Sequence, residues 1–163
     1  MNESTLAQTD HELLAQALAT VRQKSKSLPW AKKQPWTPTT HIWIDKGLPT
    51  IDLHDLSVRL ALEVTAVVEE TGPELDSGAL CLITGRGSHT GGRSRLRDNV
   101  AAALRQQCET HGWECWPSGP GRWMLVIDRE RAPAGIRGKL GLMFWFFAFM
   151  LGMAVMAVFV NHC

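Results

Sequence analysis

Ala79-Leu80-Cys81-Leu82-Ile83-Thr84-Gly85-Arg86-Gly87-Ser88-His89-Thr90-Gly91-Gly92 is a short apolar run that opens into a loop with four glycines in eight positions. A run of that length, bounded by a turn signal, predicts a buried strand. Upstream, Val58, Ala61, Leu62, Val64, Thr65 and Val68 fall on a helical face between Ser57 and Thr71, and Gly72-Pro73 ends that helix. Before it, Thr50–His54 alternates as a short strand. Downstream, Ser94 is placed to cap a helix from Arg95 to about Thr110, with Leu96, Val100, Ala103 and Leu104 inward and His111-Gly112 as its stop. Two more strands are predicted, Trp113–Trp116 and Arg122–Asp128, joined by a turn over Pro117–Gly121. The order β-α-β-α-β-β predicts an α/β fold, a two-layer α/β sandwich over residues 49–130.

The flanks differ in character. Thr9-Asp10-His11-Glu12 has the spacing of a capping box ahead of Leu13, Leu14, Ala17, Leu18 and Val21, so residues 1–24 are expected to hold one amphipathic helix, from about Asp10 to Lys24. Pro29, Pro35, Pro38 and Pro49 then predict an extended linker over residues 25–48. It carries Trp30, Trp36 and Trp43, and at least one of these indoles is expected to dock on the domain.

All 33 charged residues fall in the first 139 positions, so the net charge of +1 averages a polar chain and an uncharged tail. Residues 140–160 are 21 in a row without a charge, and they hold all five phenylalanines. As a helix at 1.5 Å per residue they would span roughly 32 Å, about the thickness of a bilayer's hydrocarbon core. Residues 131–139 form a basic segment with Arg131, Arg137 and Lys139, and a basic flank stays on the cytoplasmic side. The expectation is a tail-anchored, single-pass membrane protein, with the soluble part cytoplasmic and residues 161–163 external. A wholly soluble protein, a multi-span transporter and a disordered chain are all excluded by this distribution. Cys81, Cys108, Cys115 and Cys163 make no disulfide framework. Cys108, His111 and Cys115 are spaced loosely like metal ligands but lack an evident fourth, so they read as a helix end and a strand start with incidental thiols. No metal and no cofactor is expected.

The helix between the first two strands of the sandwich makes them parallel, and their C-terminal ends share one sheet edge, where open α/β sheets bind ligands. Asp52 and His54 stand at the first end, two apart and on one face. A carboxylate there can fix the imidazole tautomer and raise its basicity, although the spacing alone favours a plain surface pair at a strand end. At the second end the glycine loop and the following helix start offer N–H groups to a phosphate. Arg86, Arg93, Arg95 and Arg97 add four positive charges without an acid among them, a footprint for a polyanion.

These motifs, in this order, carry a family resemblance. Ile51-Asp52-Leu53-His54, then Thr84–Thr90, Leu96-Arg97 and Val100, then Gly119-Pro120-Gly121-Arg122-Trp123 leading into Met124–Ile127, resemble the small MutS-related (Smr) domain over roughly residues 48–128. The resemblance implies a fold like the C-terminal domain of bacterial translation initiation factor three, binding of RNA or DNA and, in many members, endonuclease activity. It places that activity on Asp52, His54, Gly85, Gly87 and His89. It makes a bacterial inner membrane the expected location. Two departures stand out. Asp55 occupies a position where the family usually has glycine, and a further carboxylate there would repel phosphate. Arg86 replaces a common lysine and keeps the charge.

Two functional readings stay open on the sequence. In the first, the protein is a membrane-anchored nucleic-acid binder and metal-independent endonuclease. Asp52, His54 and His89 are then catalytic, and Gly85, Arg86, Gly87, Ser88, Arg93, Arg95 and Arg97 hold phosphate. In the second, it is a non-catalytic accessory or assembly subunit of a larger membrane protein complex.

Overall fold

Lys46 and Gly47 both take positive φ, 53° and 79°. That is the pair of left-handed residues a tight two-residue hairpin turn demands. In the computed structural model, which describes residues 3–29, 31, 35–85 and 94–136, this turn joins β1 (Ile42–Asp45) to β2 (Leu48–Asp52) in antiparallel register, Ile42 opposite Ile51. The expected linker over 25–48 is therefore corrected. Its second half is regular: a single helical turn, α3 (Pro38–His41), runs directly into β1. The prolines do not prevent this. Pro38 sits in the first turn of α3, where a missing N–H loses no helical bond. Pro49 precedes the first β2–β3 pair, Thr50 with Cys81, so β3 loses no donor to it.

The remaining elements follow the α/β pattern. Ser57 caps α4 (Val58–Thr71) by accepting from the Leu60 N–H. A short 3-10 turn, Gly72–Glu74, leads toward β3 (Ala79–Ile83). Ser94 caps α5 (Arg95–His111), and Gly112 ends it in the left-handed conformation. β4 (Glu114–Gly119) and β5 (Arg122–Val126) form a hairpin with an irregularity between Pro117 and Gly119, so the turn is Pro120-Gly121, shorter than the sequence suggests. The five-stranded sheet has the order β1-β2-β3-β5-β4, with β2 and β3 parallel and the other neighbours antiparallel.

Register assigns the faces. Ile42, Ile51, Leu80, Leu82, Trp123 and Leu125 share one face and enter a single core with Leu60, Val64 and Val68 of α4 and Val100 and Leu104 of α5. The opposite face carries Trp43, Thr50, Cys81, Met124 and Trp116 in one row across all five strands. Arg122 Nη2 donates to Asp45 at 2.9 Å and ties the β1–β2 hairpin to β5.

The N-terminal segment also differs from expectation. It forms α1 (Glu3–Ala17) and α2 (Ala19–Ser25), interrupted at Leu18, and Leu14, Leu18 and Val21 are buried in the same core. The apparent capping box lies inside α1 and does not mark the start of a helix. Asp10 is buried instead, and its carboxylate accepts from the backbone N–H groups of Asp76 at 2.7 Å and Ser77 at 3.0 Å. A buried carboxylate is stable only with such donors. Asp10→Ala is expected to cost about 2–3 kcal/mol, because two N–H groups lose a charged acceptor. Asp10→Asn, which keeps an oxygen, is expected to cost less. Urea unfolding of the two variants checks the order.

Residues 1–132 make one compact unit and 133–163 another. Among the described residues no helix is long and apolar enough to cross a membrane. The expected span over 140–160 lies outside the described residues.

Candidate functional site

Parallel pairing sets Asp52 opposite Ile83, so the C-terminal ends of β2 and β3 lie side by side. The antiparallel pairing of β1 with β2 brings α3 to that same edge, and the pairing of β5 with β3 brings the Pro120-Gly121 turn there. Four segments thus converge on one sheet edge.

At the centre is a turn built by Asp52. Its Oδ1 accepts the backbone N–H of His54 at 3.0 Å, an Asx-type closure two residues on. The same oxygen stands 2.6 Å from His54 Nδ1, so one carboxylate fixes both the chain direction and the ring. This is why the Asp-x-His spacing has chemical content: the short side chain reaches position i+2 of its own backbone. The His54 side chain is 47% exposed and Asp52 only 15%. The imidazole is presented to solvent while its carboxylate is sheltered.

Asp55, noted in the sequence only as a departure, takes part in the geometry. Its Oδ2 lies 3.3 Å from His54 Nε2 and 3.1 Å from His41 Nε2. His41 is buried on α3, and Thr37 N–H and Thr40 Oγ1 stand 3.2 and 2.7 Å from its Nδ1. Burial by itself would lower the His54 pKa. The hydrogen bond to Asp52 and the charges of Asp52 and Asp55 outweigh it, and the pKa is raised above the ordinary histidine value. Beneath them, Trp36 is 1% exposed, and its Nε1–H donates to the Asp52 carbonyl at 2.7 Å. Among the described residues Trp36 is a docked indole, and its ring lies 5.6 Å from that of His41. Trp43 is 38% exposed on the opposite face of the sheet.

Gly85, at the end of β3, has φ +76, and a Cβ there would meet His54 Cβ at 3.4 Å, an ordinary contact. Gly121 is tighter. Its φ is +70, and a Cβ would fall on the Gly85 carbonyl. Its own carbonyl accepts from Thr84 N–H at 2.8 Å and from Thr84 Oγ1 at 3.2 Å. The closing glycine turn thus holds the start of the glycine loop. Gly121→Ala is expected to cost about 2–3 kcal/mol, from positive φ and backbone collision together, and Gly85→Ala about 1 kcal/mol from φ alone. Thermal unfolding of both variants gives the comparison.

Of the expected site residues, the structure brings Asp52, His54 and Gly85 together. Arg95 and Arg97 lie in the first turn of α5, where Arg97 Nε is 3.3 Å from Asp98 Oδ1. Arg86, Gly87, Ser88, His89 and Arg93 lie outside the described residues. Trp36, His41 and Asp55 complete the wall of the site. The loosely metal-like set resolves into separate roles. Burial and the neighbouring Cys115 push the Cys108 thiol up to about 12, whereas His111 pairs with Glu69 at 2.6 Å and stacks on Trp113.

No family model matches the chain, and no curated protein matches it. The chain is similar to the solution structure of the SMR domain of NEDD4-binding protein 2, at 22% identity over 53% of this chain and 92% of that one, with a TM-score of 0.37. It is similar also to the solution structure of the B3BP Smr domain, at 19% identity over 78% of this chain and 100% of that one, with a TM-score of 0.36.

Proposed function

We propose that the protein is a membrane-anchored, Smr-type nucleic-acid-binding protein with endonuclease activity, held in a bacterial inner membrane by residues 140–160 with the site on the cytoplasmic side. The observation that carries the proposal is the exposed His54 imidazole held by the sheltered Asp52 at 2.6 Å, at the edge where β2 and β3 end in parallel. A histidine with a raised pKa, fixed by a carboxylate, is equipped to give a proton to a leaving oxygen. RNA suits it best, since the 2′-hydroxyl is an internal nucleophile. Abstraction of that proton falls to His89, and attack on phosphorus expels the 5′-oxygen, which His54 protonates. Gly85, Arg86, Gly87 and Ser88 take the phosphate charge, and Arg93, Arg95 and Arg97 take the flanking backbone.

The test is cleavage of a labelled single-stranded RNA by the full chain in mild detergent, with and without chelator. Cleavage that needs His54 supports the proposal, and wild type and His54→Ala being equally inert ends it. A second reading, an accessory subunit of a membrane complex, is favoured by Asp55, whose carboxylate faces His54 Nε2 at 3.3 Å on the side a phosphate would approach. A stoichiometric membrane partner recovered with an inert protein decides for that reading. The polyanion surface has its own test. Arg95→Ala and Arg97→Ala are each expected to lower the salt slope of binding by about one.

A further inference from the structure

Two histidines and two carboxylates alternate across the site edge: Asp52, His54, Asp55, His41. Exposure falls along the chain, from 47% at His54 to 15% at Asp55 and 8% at His41. The inner end is anchored. His41 Nδ1 stands near both the N–H and the carbonyl oxygen of Thr37, at 3.2 and 3.1 Å, whereas Nε2 faces only the Asp55 carboxylate, which accepts and does not donate, so Nε2 carries a proton directed at Asp55. Trp36 packs beside the same ring. A single oxygen, Asp55 Oδ2, therefore faces both Nε2 atoms.

We infer that His41 is a positioning residue: its Nε2–H holds Asp55 against the Nε2 side of His54, so that both ring nitrogens of His54 face carboxylates and the ring is presented as a proton donor. The inference rests on the reading of His54 as the general acid and deepens it by naming the residue that sets its Nε2 side. Asp52 fixes the Nδ1 proton, and Asp55 stabilises the charge that the Nε2 proton brings. At 3.3 Å the Asp55 contact is an ion-pair distance, longer than the Nδ1 bond, so Nε2–H is the proton more readily released to a leaving oxygen. Among the described residues the titratable groups facing His54 are Asp52 from β2, Asp55 from the loop after it and His41 from α3. Residues 36–41, which follow Pro35 and include Pro38 of the expected linker, thus act as a strap that sets the protonation state of the site.

The experiment follows the imidazole resonances of the full chain by NMR through a pH titration. Asp55→Asn is expected to lower the His54 pKa by about one unit, as loss of an opposite charge within hydrogen-bonding range does. His41→Ala is expected to lower it by about half a unit, because Asp55 is released from Nε2. His41→Gln, whose amide can still donate to Asp55, is expected to restore the wild-type value. Should His41→Ala not fold, His41→Asn gives the same reading, since its shorter amide stays polar but falls short of Asp55. A His54 titration unmoved by Asp55→Asn, or moved by Asp55→Asn but not by loss of the His41 donor, overturns the inference. These shifts appearing in a protein that cuts no RNA would leave the positioning intact and remove the nuclease reading. Cleavage with an unmoved His54 would do the reverse.

Discussion

Trp36→Ala is expected to destabilise the protein by about 3–5 kcal/mol, the usual cost of deleting a fully buried indole. Trp36 is 1% exposed and belongs to the same buried core as Leu14, Val21, Leu60 and Ile51. Typical domains have only 5–15 kcal/mol in total, so this one substitution removes a large fraction of the folding free energy. Part of the loss is polar. The Nε1–H bond to the Asp52 carbonyl is buried on the tryptophan side, and its removal leaves that carbonyl short of a donor at the base of the site. Trp36→Phe separates the two effects. It keeps most of the apolar volume and loses the donor, and a cost of about 1–2 kcal/mol is expected. Urea unfolding followed by circular dichroism measures both variants. Equal stability of Trp36→Ala and wild type would mean that the segment from Trp36 to His41 is only loosely docked.

That segment also shows where the sequence is legible and where it is not. β2, α4, β3 and α5 are readable because their signals are local: alternation, a 3.6-residue stripe, a serine cap and a glycine stop all lie within each element. Asp52 and His54 are readable for the same reason, since the turn that joins them is closed by Asp52 itself. His41 gave no such signal. Its partners, Asp55 and the Trp36 ring, are brought to it by tertiary pairing of β1 with β2, and the prolines around it mask the helical turn that carries it. A signal for β1 was present, however: Ile42 and Ile44 alternate with polar or aromatic neighbours ahead of Lys46-Gly47, a two-residue turn pair. Asp10 misled for the opposite reason. Its spacing matched a local cap, but its two donors come from residues 66 and 67 positions away. Local rules find local bonds, and a buried carboxylate with distant partners satisfies none of them.

His54→Ala is expected to reduce cleavage at least ~100-fold, the ordinary loss when a general acid is removed. Folding should change little, because the His54 side chain is nearly half exposed and lies outside the apolar rows of the sheet. Asp52→Asn is expected to cost less. The amide oxygen can still accept from the His54 backbone and from Nδ1, so the ring keeps its orientation, but it no longer stabilises the charged form. The pH profile separates the two effects. An acid catalyst works while protonated, so activity should fall as pH rises through the raised His54 pKa. Removing the Asp52 charge lowers that pKa and should move the alkaline limb to lower pH, whereas a purely structural defect would lower the whole profile without moving it. Stability follows the same sign. The Asp52–His54 pair contributes below the unfolded histidine value of about 6.5 and loses its contribution as pH rises through the folded one. With so exposed an imidazole that contribution is no more than about 0.5 kcal/mol, so the catalytic loss in His54→Ala cannot be mistaken for unfolding. A His54→Ala protein that is folded and cuts RNA at the wild-type rate would remove His54 from the chemistry and leave the Asp52–His54 pair as a structural turn at the sheet edge.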